Sequence, residues 1–88
     1  MPNTIITTEL EARFDEIAKM AADLFSVSPE EVHSAISFVD DLAADSLLAI
    51  ELLTQLEKRY QVSIPEDELP NLVNLRSTYD VVAARAGW

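Results

Sequence analysis

The sequence predicts an all-α fold: a small bundle of three long helices and one short helix, with a long first loop. Three observations carry this. The 88 residues contain a single glycine, too few for the tight turns an all-β chain would need. Apolar residues recur at helical spacing in three long segments. Each segment opens on a residue type that caps helices. A chain this short makes one domain, residues 1–88, and buries about two thirds or less of the surface it exposes when unfolded. Deep catalytic clefts are therefore not expected.

The first helix is predicted to start near Thr8, where Thr8 and Glu11 fit a capping box. Leu10, Phe14, Ile17, Ala21 and Leu24 form one apolar stripe, and the helix should end around Phe25. Ser28-Pro29-Glu30-Glu31 is a second start signal, with proline at the first helical position. No long stripe follows it, so it reads as a short turn, then a loop over 34–44 pinned to the core by Phe38, Val39 and Leu42. The second long helix begins at Asp45-Ser46, with Asp45 as cap, and runs to about Tyr60. Its residues Leu52, Leu56 and Tyr60 should face inward. Leu47, Ile50 and Leu53 form a neighbouring stripe, and Leu48 extends the apolar surface beyond the single stripe such a helix needs. The excess is either core or a docking face. Gln61 to Pro65 reads as an extended connector, followed by a short turn over Glu66 to Leu69 broken at Pro70. The last helix starts after Asn74, carries an apolar stripe of Leu75, Tyr79, Val82 and Ala86, and stops at Gly87.

Composition removes many functions. Six Lys and Arg against 16 Asp and Glu give a net charge of −10, with a pI near 4.2. Nucleic acid and anionic membranes, which need a basic face, are not expected partners. No cysteine is present, which excludes a disulfide framework, a thiolate metal site and a thiol nucleophile. No apolar run approaches the ~20 residues that cross a bilayer, and the first residues lack the pattern of a signal peptide. A cytoplasmic location is the expectation. Asp40, Asp41 and Asp45 are read as solvated carboxylates, so no metal is assigned, and the one histidine, His33, is read as a surface residue.

The informative segment is Asp40-Asp41-Leu42-Ala43-Ala44-Asp45-Ser46-Leu47. It puts a serine at the start of a helix, where backbone N–H groups and the helix dipole favour a phosphate on its oxygen. With His33 not expected to be placed as its base and no lysine near in sequence, Ser46 is a poor nucleophile. Capping propensity alone is the first explanation of a serine at such a position, and the phosphate reading comes second.

Phe38 to Leu47 as a whole resembles the attachment motif of acyl carrier proteins. The resemblance continues through Glu51-Leu52, Leu56-Glu57, Tyr60, Ile64-Pro65 and Tyr79-Asp80-Val81-Val82, nearly the whole chain. It implies a four-helix bundle with one short helix, in agreement with the helix count above. It also implies that a phosphopantetheinyl transferase moves 4′-phosphopantetheine from coenzyme A onto Ser46, within the motif Asp45-Ser46-Leu47. Base and metal would belong to the transferase. The arm ends in a thiol, so a chain without cysteine can carry acyl groups as thioesters. Ketosynthase, acyltransferase and other acyl-processing enzymes are the implied further partners. The carrier itself would be a monomer and no enzyme.

Departures from the family pattern shape the remaining expectations. Ala43 stands where the family usually has glycine, and either stiffens the loop or demands a different backbone angle. Leu48 replaces an acid common after the motif, and Lys58 and Arg59 replace others. Docking is assigned to Asp45, Leu47, Leu48, Ile50, Glu51 and Glu57, with apolar contact contributing beside charge. That combination points to a dedicated partner set, such as a polyketide or related natural-product pathway. Fatty-acid synthesis and aminoacyl or peptidyl carriage are the alternatives within the chemistry, and an unmodified docking protein is the alternative outside it. Phe38, Leu56, Ile64 and Leu72 are candidate contacts for an acyl chain sheltered in the bundle, although ordinary core packing accounts for them first.

Overall fold

The computed structural model describes residues 2–88, with side chains described from residue 9 onward. Its elements are α1 (Pro2–Phe25), α2 (Pro29–Ser34), α3 (Phe38–Leu42), α4 (Ser46–Tyr60), a 3-10 helix (Glu66–Asn71) and α5 (Leu75–Ala86). No strand occurs among the described residues, so the all-α fold is as expected. α1 is the central post and packs against α2, α4 and α5, while the 3-10 helix bridges α4 and α5. Ile17, Val32, Leu52, Leu56 and Val82 are fully buried, and Phe25 meets Phe38 edge-on at 5.2 Å.

Local chemistry sets the boundaries. Asp45 Oδ1 accepts the Leu48 N–H at 3.0 Å and starts α4. Lys58 and Arg59 sit in its last turn, where cations complement the carbonyl end of the dipole. Asn74 and Ser77 form a reciprocal capping box that starts α5, and Gly87, at φ 76°, ends it.

Four details differ from expectation. α1 runs back past Thr8 to Pro2, so Thr8 stands inside the helix; its side chain lies outside the described residues. The expected loop over 34–44 contains α3. Ser37 Oγ accepts the Asp40 N–H at 3.3 Å, and Asp41 Oδ2 accepts the N–H groups of Ile36 and Ser37 at 2.8 and 3.1 Å. These two caps hold a helix too short to show periodicity. Val39 does not pin this segment: it is 65% exposed, and Phe38 alone is fully drawn inward. Pro70 lies inside the 3-10 helix rather than ending it. Its missing N–H and its ring oppose an α-helix, whereas the tighter turn persists through Glu68 N–H to Pro65 O and Leu72 N–H to Leu69 O.

The C-terminal end of α4 is tied to α1. Tyr60 donates its hydroxyl proton to Glu16 at 2.6 Å, and Arg59 pairs with the same carboxylate. Trp88 packs edge-on against Tyr60 at 5.0 Å, lies against Tyr79 at 5.5 Å, and is covered by the Arg13 guanidinium at 4.3 Å. The final residue is thus part of the bundle.

Candidate functional site

Ser46 occupies the first turn of α4 with an exposed side chain. The Asp45 carboxylate is turned back to Leu48 N–H, and the Asp45 carbonyl accepts Ala49 N–H at 3.1 Å. The Ser46 hydroxyl has no hydrogen-bond partner among the described residues, and neither do the N–H groups of Ser46 and Leu47. The cap is therefore supplied by Asp45 and not by the serine. This removes the capping explanation for Ser46 and leaves a free hydroxyl beside two free donors at the positive end of a helix, a setting that suits a phosphoester oxygen.

The chain that delivers Ser46 is firmly held. Phe38 N–H donates to Val73 O at 2.7 Å, and Asn74 Nδ2 donates to Ile36 O at 3.1 Å, fastening the α2–α3 segment to the start of α5. Ala43 ends α3 in the left-handed region, at φ 54° and ψ 33°, with its N–H on Phe38 O. It adopts the angle that glycine favours, and so does not demand a different one. Ala44 is buried.

A groove of about 360 Å³ opens beside the serine, lined by Ser37, Val39, Asp45, Ser46, Ala49, Leu69, Pro70, Leu72 and Val73. Its walls are mainly apolar, and its polar groups lie at the serine end and at Ser37. Of the lining residues, Asp45, Ser46 and Leu72 are the site residues expected from the sequence; Val39, Leu69 and Pro70 were read there only as loop and turn positions, and Ser37, Ala49 and Val73 were not singled out. Ala49, one turn beyond Ser46 and small, was the readable sign of a groove on that face.

The expected docking residues divide. Asp45, Leu47, Ile50 and Glu51 are exposed, with Leu47 at 63% and Ile50 at 44%. Leu48 is half-buried against the core. Glu57 is half-buried, and its Oε2 accepts Ile64 N–H at 2.9 Å, so it anchors the connector after α4. The expected acyl contacts Phe38, Leu56, Ile64 and Leu72 are all buried; Leu72 alone also lines the groove. Asp41 holds backbone N–H groups, and His33 pairs with Asp15 at 3.0 Å on the surface between α2 and α1. No cluster of potential metal ligands occurs among the described residues, and no described helix is long and apolar enough to cross a membrane.

The family described as the phosphopantetheine attachment site matches residues 15–82. The chain is 34% identical over 87 residues to polyketide-8 synthase acyl carrier protein 2 of Streptomyces avermitilis, covering 99% of this chain and 97% of the relative. It is 38% identical over 64 residues to an acyl carrier protein of Wolinella succinogenes, covering 73% of this chain and 84% of the relative. Among solved structures, it is similar to a chain of the ishigamide ketosynthase/chain length factor, at 38% identity and a TM-score of 0.66, covering 86% of this chain and 96% of that one.

Proposed function

Because the chain belongs to the phosphopantetheine-attachment family of acyl carrier proteins, we propose that Ser46 bears the 4′-phosphopantetheine arm and presents acyl intermediates during polyketide assembly. The observation that carries this reading is the uncapped, exposed Ser46 hydroxyl at the head of α4, beside an apolar groove. When bound, the arm supplies the thiol that this cysteine-free chain lacks, and holds acyl groups as thioesters.

This chain's residues position and expose; they do not react. Asp45 fixes the first turn of α4 and leaves the Ser46 and Leu47 N–H groups for the phosphate. The partner transferase provides the base, since Asp45 is engaged at Leu48 N–H and His33 at Asp15. The groove, through Ala49, Leu72 and Val73, offers apolar cover to whatever lies next to the serine. Deeper contact with an acyl chain falls to Phe38, Leu56 and Ile64, once the bundle parts around it. The carrier is not an enzyme in its own right, and acts as a cytoplasmic monomer.

Acyl-processing enzymes read the outer face of α4. Leu47 and Ile50 are one turn apart, and Glu51 lies one turn beyond Leu47, so an apolar pair is flanked by Asp45 and Glu51. A partner needs an apolar patch with a basic rim, and apolar contact keeps part of the affinity at high salt. Supporting the polyketide assignment are the polyketide synthase carrier similar over nearly the full chain and the neighbour from a ketosynthase/chain length factor. The test is the intact mass of the protein from cells that produce it: an arm bearing poly-oxo acyl groups is expected. An arm bearing only saturated fatty acyl groups would overturn the pathway, and a bare chain would overturn the carrier role.

A further inference from the structure

Thr78 is the one buried polar side chain among the described residues, with no exposed surface, and its hydroxyl has no hydrogen-bond partner among them. A helical threonine ordinarily donates to the carbonyl four residues back. Thr54 does so in α4, with Oγ1 donating to Ile50 O at 3.0 Å. For Thr78 that carbonyl belongs to Asn74, and it already accepts Thr78 N–H at 3.0 Å and Ser77 Oγ at 3.2 Å. The capping box that starts α5 thus occupies the local acceptor and leaves a free hydroxyl in an apolar interior, where an unpaired polar group is costly.

Its position gives that hydroxyl a use. Thr78 shares the inner stripe of α5 with the buried Leu75 and Val82, and α5 packs on the 3-10 helix. Leu72, between that helix and α5, belongs both to the core and to the wall of the groove beside Ser46. A chain passing from the groove beyond Leu72, as the bundle parts around it, would meet the packed inner face of α5. A saturated chain has nothing to offer the hydroxyl. A chain bearing ketones has acceptor oxygens.

We propose that Thr78 selects oxygenated cargo, its hydroxyl donating a hydrogen bond to a keto oxygen of an acyl chain sheltered in the bundle. This rests on the reading of Ser46 as the tether. The test loads the full chain with amide-linked octanoyl, 3-oxo-octanoyl and 5-oxo-octanoyl pantetheine analogues, the ketone carbon labelled with ¹³C, on the wild type, Thr78→Val and Thr78→Ser. The keto resonance of one cargo is expected to lie further downfield in the folded wild type than in folded Thr78→Val, where the sheltered ketone has no donor. That cargo should also raise the folding equilibrium constant about fivefold more than octanoyl does. Both effects should vanish in Thr78→Val, which keeps the side chain's shape, and return in Thr78→Ser. An unchanged keto shift and preference in Thr78→Val would overturn the proposal. So would full solvent exposure of every cargo. Failure to load, read separately by intact mass, would overturn the tether at Ser46 and this inference with it.

Discussion

Replacing Ala43 with glycine should stabilise the fold, although it removes a methyl group and gains no contact. Ala43 holds φ 54° and ψ 33°, a left-handed angle that costs an L-residue with a Cβ about 1–2 kcal/mol. Glycine escapes that strain but loses about 0.5–1 kcal/mol more backbone entropy on folding. The difference favours Ala43→Gly by about 0.5–1 kcal/mol. For a domain of this size that is a rise in melting temperature of about 4 °C. The Ala43 side chain is exposed, so no cavity opposes the gain. Ala43→Val is the opposite control: a β-branched residue tolerates this region worst and should lose more than 1 kcal/mol, on the order of the strain itself. Urea unfolding of the three proteins, with far-UV circular dichroism as the probe, measures both changes. A loss of stability in Ala43→Gly equal to the entropic cost alone would show that residue 43 is not held left-handed, and would refute the reasoning.

Other consequences follow from named contacts. Tyr60 and Arg59 hold the Glu16 carboxyl below its ordinary value, so its stabilising contribution is complete above the ordinary carboxylate range and is lost as pH falls through the lowered value. Glu16→Gln should therefore destabilise by about 1 kcal/mol at pH 7, a figure reduced for solvent screening, and the gap to wild type should close in acid; unfolding curves from pH 7 down to pH 2 check this, and a pH-independent gap would contradict it. Deleting Trp88 removes two aromatic contacts and the Arg13 contact and should cost about 2 kcal/mol, read as a lower urea midpoint with unchanged slope. Leu47→Asp should leave the melting temperature within a degree or two, about the range of a surface change, while raising the KM of an acyl-processing partner for the loaded carrier about tenfold or more. A normal KM would exclude the outer face of α4 as the docking surface.

The elements readable in the sequence were those whose ends are chemical. Asp45, Asn74 and Gly87 are residues whose side chain, or lack of one, marks a boundary wherever it stands, and they place α4 and α5 correctly. The three left-handed caps at Ser26, Ala43 and Gln61 could not be read the same way, because none of these residues prefers that angle; tertiary packing imposes it. α3 went unread because five residues span little more than one turn, and its caps reach from Ser37 and Asp41 into a stretch with no stripe. The α1 start was misplaced because Thr8 and Glu11 look like a cap in sequence while helix continues through them. Ser46 was legible as a motif and Asp45 as the cap before it, but that the serine hydroxyl and the first two N–H groups of α4 stand unpaired among the described residues is a matter of geometry. Glu57 looked like a free acid on an exposed helix; its bond to Ile64 N–H depends on how the chain returns after Tyr60. Thr78 was not singled out in the sequence, and only the occupied carbonyl of Asn74 shows its buried hydroxyl to be unpaired among the described residues.

The attachment itself is tested most directly by intact mass and peptide mapping of the apo chain after incubation with coenzyme A, magnesium and a broad-specificity phosphopantetheinyl transferase. The expected result is a gain of one phosphopantetheine, mapped to Ser46 and absent in a folded Ser46→Ala variant. Modification that persists in Ser46→Ala, or a folded wild-type chain that gains nothing, would contradict the account.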